Sequence, residues 1–114
     1  MEIIDNNERS MFNIDKVSIY EQELLILLME EASEVIKECS KCIRFGYNYL
    51  HSNGHTSLEN LQRELLDFAL IKECLYEIWS KTDNKFTARA TLGYLEEKHE
   101  KLRNWTNAFK SNNL

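Results

Sequence analysis

The stretch LLILLMEEASEVIKECSKCIRF, residues 24–45, decides the fold class of this chain. Its apolar residues recur at helical spacing and, at 100° per residue from Leu24, cover an arc from about 300° to 120°. Glu31 and Glu38 fall inside this arc, at about 340° and 320°, and Glu34 lies on its border at about 280°. The stretch therefore predicts a long helix that turns carboxylates toward the protein core. The apolar arc consists of Leu24, Leu27, Leu28, Ala32, Val35, Ile36, Cys39 and Cys42.

Local signals on both sides of this stretch predict where its helix begins and ends. Ser18 and Glu21 have the spacing of a capping box, so the helix is expected to begin at Ser18. Gly46 suits the left-handed position that follows a helix end, so the helix is able to continue to Phe45.

The remainder of the chain predicts two more helices. A turn at Asn53-Gly54 lies in the connector, and Thr56 with Glu59 forms a second capping box before a helix over 58–79. A break over 81–84 precedes a third helix over about 86–109. With no strand pattern and no proline, we expect an all-α bundle of three to four long helices. A single domain over 18–114 would follow a polar lead-in segment, 1–17.

Composition narrows the class of protein. The 114 residues carry 19 acidic and 14 basic side chains, a net charge of −5, which argues against a protein that coats nucleic acid. No stretch approaches the roughly 20 apolar residues of a membrane span, and the acidic start does not resemble a signal peptide. We therefore expect a cytoplasmic protein that binds neither a nucleic acid polymer nor a membrane.

The second helix repeats the unusual placement of acids. Measured from Leu61, Glu64 and Asp67 fall at about 300° and 240°, in line with the apolar stripe or beside it. Two residues spaced i,i+3 on a helix lie only about 5–6 Å apart. Acid pairs on two facing helices thus offer the hard oxygen ligands that magnesium or manganese prefers. The alternative is that these acids are half-exposed and ion-paired with Lys72 or Arg63.

The segments LLMEEASEV and LQRELLD resemble the EExxE…ExxD signature of the MazG-like, all-α nucleoside triphosphate pyrophosphohydrolases. The segments SKCIRFG and TSLENLQRELLD are similar to a short, single-domain branch of that family, often found in phages. The resemblance covers residues 24–76, about half of the chain. It implies a helical core that assembles as a dimer or tetramer.

The resemblance also implies roles for individual residues. It makes four acids the magnesium ligands, with manganese as a possible substitute: Glu31, Glu34, Glu64 and Asp67. Glu30 would orient or activate a water that attacks the α-phosphorus of a nucleoside triphosphate and expels pyrophosphate. Glu38 has no counterpart in the signature, but shares the acidic face and is an auxiliary candidate. Lys98 and Lys101, on the third helix, are candidates for binding the substrate phosphates.

Two alternative functions stay open. The first alternative to the nucleoside triphosphate pyrophosphohydrolase is a non-catalytic helical interaction module with structural ion pairs. The second is a related enzyme that cleaves dUTP or phosphoribosyl-ATP. A zinc site at Cys39, Cys42, His51 and His55 is disfavoured, because the two cysteines lie within a helical pattern. Those cysteines are better explained as small core residues.

The apolar arcs and the spacing of the acid pairs make two structural predictions. The arcs on the first two helices are wider than the ~100° stripe of a surface helix, which predicts a homo-oligomer, most simply a dimer. Trp79, Trp105 and Phe109 are expected in the core or in a subunit interface. In a straight antiparallel hairpin the two acid pairs would lie at different heights along the helix axes. They come level only if the connector folds back along the first helix, or if the first helix ends or bends near Ser40. We expect the latter.

Overall fold

The computed structural model describes residues 16–81 and 88–110, in which every element is a helix. The elements are α1 (Ile19–Phe45), α2 (Ser57–Ser80), α3 (Ala88–Trp105) and α4 (Asn107–Lys110). This confirms the all-α fold class; all but two residues of the predicted lead-in, 1–17, lie outside the described part. The chain divides into two compact units, 1–83 and 84–114, and the single domain over 18–114 stays a prediction.

Helix α1 begins where the capping box predicts. The Glu21 N–H donates to Ser18 Oγ, and the Ser18 N–H donates to Glu21 Oε1, both over 3.2 Å. These bonds satisfy backbone donors that a helix start leaves without an intrahelical partner. At the other end the Gly46 N–H donates to the Cys42 carbonyl, and the φ of +90° at Gly46 explains why a glycine stands there.

The sequence predicts that α1 ends or bends near Ser40; an end at that point is wrong, because the helix continues to Phe45. The connector returns instead: the Phe45 ring stacks on Tyr49 at 4.9 Å and meets His51 edge-on at 5.8 Å. The chain thus lies beside the last turn of α1 before α2 begins. A connector that folds back along α1 is the alternative arrangement, given by the sequence, that brings the two acid pairs level.

Backbone hydrogen bonds make the connector a closed loop. The Gly54 N–H donates to the His51 carbonyl, and the His51 N–H donates to the His55 carbonyl, both over 3.0 Å. Gly54 has a φ of +86°, so the predicted Asn53-Gly54 turn is confirmed. The Ser57 and Leu58 N–H groups donate to the connector carbonyls of Tyr49 and Tyr47, which fixes the start of α2 against the loop.

Helix α2 packs against α1 as its partner in a hairpin. Its predicted cap is confirmed, because the Glu59 N–H donates to Thr56 Oγ1 and the Thr56 N–H donates to Glu59 Oε1. Trp79, in the last turn of α2, donates from Nε1 to Glu21 Oε2 in the first turn of α1, over 3.1 Å. The two helices are therefore antiparallel.

The hairpin buries little apolar surface. Among the described apolar residues only Leu75 is fully buried, at 1% exposure. Leu27, Ile36 and Cys39, placed by sequence on the buried arc, are exposed, so the interpretation of Cys39 as a core residue is wrong. One neighbouring helix covers only a stripe of α1, and this arc is wider than that stripe. Cys42 is half-buried, as is Cys74.

The second unit interrupts the helix predicted over 86–109. Thr106 Oγ1 donates to the Leu102 carbonyl and accepts from the Phe109 N–H, so Thr106 caps the short α4. A hydroxyl that bonds the backbone locally competes with helix continuation, which explains the break. Trp105, expected in a core or interface, is 84% exposed. None of the described helices is long and apolar enough to cross a membrane.

Candidate metal centre

Three of the predicted ligands come together between α1 and α2. Glu31 of α1 and Glu64 and Asp67 of α2 each offer a carboxylate oxygen, and these oxygens lie within 4.8 Å of one another. The i,i+3 spacing places the two α2 acids on one face, and the antiparallel hairpin brings Glu31 level with them. We call these three residues the acid cluster.

The acid cluster lies at the edge of the helix contact. Glu31 and Glu64 are half-buried, whereas Asp67 is exposed. Glu31 Oε1 is buried and accepts no hydrogen bond from any described residue. A buried oxygen without a donor costs about 1–3 kcal/mol, more when it is charged. The site thus contains an acceptor that a cation would satisfy.

Burial and neighbouring charges raise the pKa of Glu64. Burial raises the pKa of this carboxyl, and the charges of Asp67, Glu31 and Glu34 raise it further, in that order. A hydrogen bond to Glu31 also raises the pKa of Glu64, because it requires a proton on Glu64. With both groups ionised this bond has no donor. Glu64 therefore gains either a proton or a cation at lower cost than an isolated glutamate.

Glu34 lies near the cluster but outside its three-oxygen group. Its charge raises the pKa of Glu64, yet its own Oε1 pairs with Lys37 Nζ at 3.2 Å. Both side chains of this ion pair are about half exposed, and exposed pairs are worth only about 0–1 kcal/mol. The structure therefore leaves Glu34, a predicted ligand, paired with Lys37 and outside the acid cluster.

The two remaining candidates on α1 have different surroundings. Glu30 is exposed and is not among the three clustered residues. Glu38 is only 7% exposed; its Oε2 contacts Lys41 Nζ at 3.5 Å, and its Oε1 has no hydrogen-bond partner among the described residues. The helical wheel correctly indicated that Glu38 faces inward.

The acid cluster lacks the basic partners, Lys72 or Arg63, that a set of structural ion pairs would require. Within residues 16–81, no ion pair joins Glu31, Glu64 or Asp67 to a basic side chain. Lys72 lies over the Tyr76 ring instead, with Nζ 5.7 Å from the ring centre. Charges that converge without a counter-charge favour the uptake of a proton or a cation.

The cysteines and histidines make other contacts. His51 Nε2 lies 2.7 Å from Ser57 Oγ, and His55 Nδ1 lies 3.7 Å from Glu59 Oε1. Burial, then the charges of Cys39 and Glu38, raises the pKa of Cys42, which disfavours the thiolate that zinc requires. In the part of the chain that the structure describes, the acid cluster is the one group of three or more potential metal ligands.

The predicted phosphate-binding lysines lie in the second unit. Lys98 and Lys101 are both exposed on α3. Their exposure leaves the ammonium groups able to meet an anionic ligand.

The donor set fits a small divalent cation. Carboxylate oxygens are the ligands that magnesium and manganese prefer, and the unpartnered Glu31 Oε1 supplies an acceptor without a donor. Comparisons with protein-family models, with curated proteins and with solved structures gave no match for this chain. The acid cluster is therefore the feature on which a function is proposed.

Proposed function

We propose that this chain is a magnesium-dependent nucleoside triphosphate pyrophosphohydrolase of the MazG-like type. It would convert a nucleoside or deoxynucleoside triphosphate to the monophosphate and pyrophosphate. The observation that carries the proposal is the acid cluster, in which three carboxylates from two helices converge within 4.8 Å without a basic partner among the described residues.

Glu31, Glu64 and Asp67 would hold the cation, joined by Glu34 once it separates from Lys37. When bound, magnesium would neutralise triphosphate charge and lower the pKa of a water molecule, and manganese is able to substitute. Glu38 is an auxiliary residue in this proposal, because its buried carboxylate lies two helical turns beyond Glu31 on the same face of α1.

The reaction needs a proton acceptor and an anion-binding group. A water oxygen would form a bond to the α-phosphorus, and the bond from that phosphorus to the bridging oxygen would break, with the electron pair leaving on pyrophosphate. Glu30 is the residue proposed to accept the proton of the water. Lys98 and Lys101 are proposed to bind the outgoing phosphates by charge-assisted hydrogen bonds.

Two further parts of the proposal extend the sequence predictions. The protein would act as a homodimer or tetramer on free nucleotides in the cytoplasm. The relatives that cleave dUTP or phosphoribosyl-ATP share the chemistry of the site and differ in the bound base or sugar, so a substrate panel separates them. A non-catalytic interaction module is the second class of function, and the missing counter-charges at the acid cluster argue against it.

The test is product analysis with the purified full chain. A panel of ribo- and deoxynucleoside triphosphates, dUTP and phosphoribosyl-ATP is incubated with magnesium or with a chelator, and the products are separated by anion-exchange chromatography. We expect monophosphate and pyrophosphate in equal amounts, only with the metal, and none from Glu64→Gln. Glu73→Gln, at an exposed position of the same helix, is the matched control and should stay active.

Orthophosphate and a diphosphate as products would show that a different bond is cut and would overturn the proposed reaction. Full activity of Glu64→Gln would overturn the proposed site. A protein inactive on every substrate, with either magnesium or manganese, would favour the interaction module.

A further inference from the structure

Helix α1 carries a second apolar face, which we call the outer seam. Its six residues follow one another at alternating spacings of three and four, as the a and d positions of a heptad repeat do. All six are exposed, and the apolar members have exposures of 53%, 65%, 69% and 86% in chain order. The outer seam consists of Ile26, Met29, Ser33, Ile36, Ser40 and Ile43.

The outer seam is not the face that holds the acids. On the helical wheel it occupies about 100° to 200°, whereas the clustered and neighbouring acids of α1 lie at about 280° to 340°. It runs for about 26 Å along the helix. Helix α2 therefore does not cover the apolar residues of the outer seam.

We propose that the outer seam binds the outer seam of a second copy of this chain, antiparallel, about a twofold axis level with the Glu34–Val35 peptide. In that register Ile26 meets the partner's Ile43, and Met29 meets the partner's Ser40. Ser33 meets the partner's Ile36. Large side chains thus face small ones in the inner layers, which is how packed helices avoid both voids and overlap. A parallel pair would place each serine against its own copy and leave gaps.

The charges on one flank of the seam select the same arrangement. The e positions of the heptads carry two acids in the first half of α1 and two bases in the second half, all exposed. An antiparallel pair would join Glu23 to the partner's Arg44 and Glu30 to the partner's Lys37, twice each by symmetry. Lys37 would then leave the exposed ion pair that it makes with Glu34 of its own helix. In a parallel pair the e positions would instead meet the g positions, which are Leu25, Ala32 and Cys39 and carry no charge. These e positions are Glu23, Glu30, Lys37 and Arg44.

This interface does not depend on the proposed enzymatic function. The outer seam lies on the side of α1 away from the acid cluster, and Glu30, on the flank of the seam, is a residue to which both proposals assign a role. The alternative is that the second unit of the same chain covers the outer seam, in which case the protein would be a monomer.

The first experiment measures mass by light scattering over a dilution series of the full chain. We expect twice the monomer mass of 13.5 kDa. Ile36→Glu would place a charge in each of the two central layers and should give a monomer with unchanged helical content by circular dichroism. Leu70→Glu, at an exposed apolar position on α2, is the control and should stay a dimer. A monomeric wild type, or an Ile36→Glu variant that stays fully dimeric, overturns the proposal.

A charge swap tests the direction of the helices. Glu23→Lys or Arg44→Glu alone puts like charges opposite each other at two symmetric positions, and each should weaken the dimer roughly tenfold. Mixing the two single variants should give a heterodimer with both attractive pairs restored. The double variant should also regain wild-type affinity. A double variant as weak as the single ones, or a mixture that forms no heterodimer, overturns the antiparallel register.

Discussion

Replacing Glu64 with glutamine should stabilise the metal-free protein at neutral pH. Glu64 is half-buried, and its pKa is raised first by burial and then by the charges of Asp67, Glu31 and Glu34. Glutamine keeps the shape of the side chain and removes the charge. Without a bound cation, the variant lacks the repulsion between carboxylates that destabilises the wild type.

The magnitude follows from the separation of the carboxylate oxygens. Two unit charges 4.8 Å apart repel by about 3.5 kcal/mol at an effective dielectric of 20, and by about 0.9 kcal/mol in water. Because Asp67 is exposed, the aqueous value is the better guide. Glu64 takes part in two of the three pairs of the cluster, so its neutralisation should contribute about 2 kcal/mol. With a slope of ~4 °C per kcal/mol the melting temperature should rise by about 8 °C.

The assay is thermal unfolding followed by circular dichroism, with chelator and with magnesium. In chelator Glu64→Gln should melt above the wild type, and Glu73→Gln should stay within ~0.5 kcal/mol of it. Magnesium at about 100 times its dissociation constant should stabilise the wild type by ~2.7 kcal/mol and the Glu64 variant much less. A destabilised Glu64→Gln, together with no effect of magnesium on the wild type, would refute the reasoning and favour structural ion pairs.

Three further predictions use other measurements. In chelator, proton uptake by Glu64 stabilises the fold below the pKa of an unfolded glutamate, and this stabilisation is lost as pH rises through the raised pKa of Glu64 in the folded protein. Urea unfolding curves from acid to neutral pH should show this loss of stability in the wild type and not in Glu64→Gln. Leu75→Ala should cost about 2–5 kcal/mol in the same melts, since Leu75 is 1% exposed, and a smaller loss would show that the hairpin core is not where the stability lies. Alanine at Lys98 and Lys101 should raise KM with little change in kcat, and an unchanged KM would remove both from substrate binding.

Local signals predicted the beginnings of α1 and α2 correctly, whereas the predicted beginning of the third helix, near residue 86, lies outside the described residues. The capping boxes at Ser18 and Thr56 each depend on two residues three positions apart, so the sequence contains all the information. The acid cluster was also predictable, because helical periodicity fixes which acids share a face. Of the four predicted ligands, the structure brings three within 4.8 Å and leaves Glu34 on Lys37.

Features that depend on distant contacts were not predictable in the same way. The local signal at Gly46 fits the observed end of α1 at Phe45, whereas the expectation of an end near Ser40 came from the need to bring the acid pairs level, which depends on how the connector stacks its aromatic rings on Phe45. No local residue pattern encodes that stacking. The exposure of Ile36 and Cys39 likewise depends on how much of α1 a single neighbouring helix covers. The heptad spacing of the outer seam was present in the sequence, but of its six residues only Ile36 was counted in the apolar arc.

The two proposals assign different partners to Glu30, and the structure indicates how they are to be separated. Glu30 is exposed and is not one of the three clustered acids. In the proposed dimer it would lie on the flank of the outer seam, beside the partner's Lys37. A carboxylate held by an ammonium group is a weaker proton acceptor than a free one. Glu30→Gln therefore has two distinct signatures. A loss of kcat with an unchanged dimer dissociation constant means proton transfer, whereas a weakened dimer with wild-type kcat at high protein concentration means an interface residue.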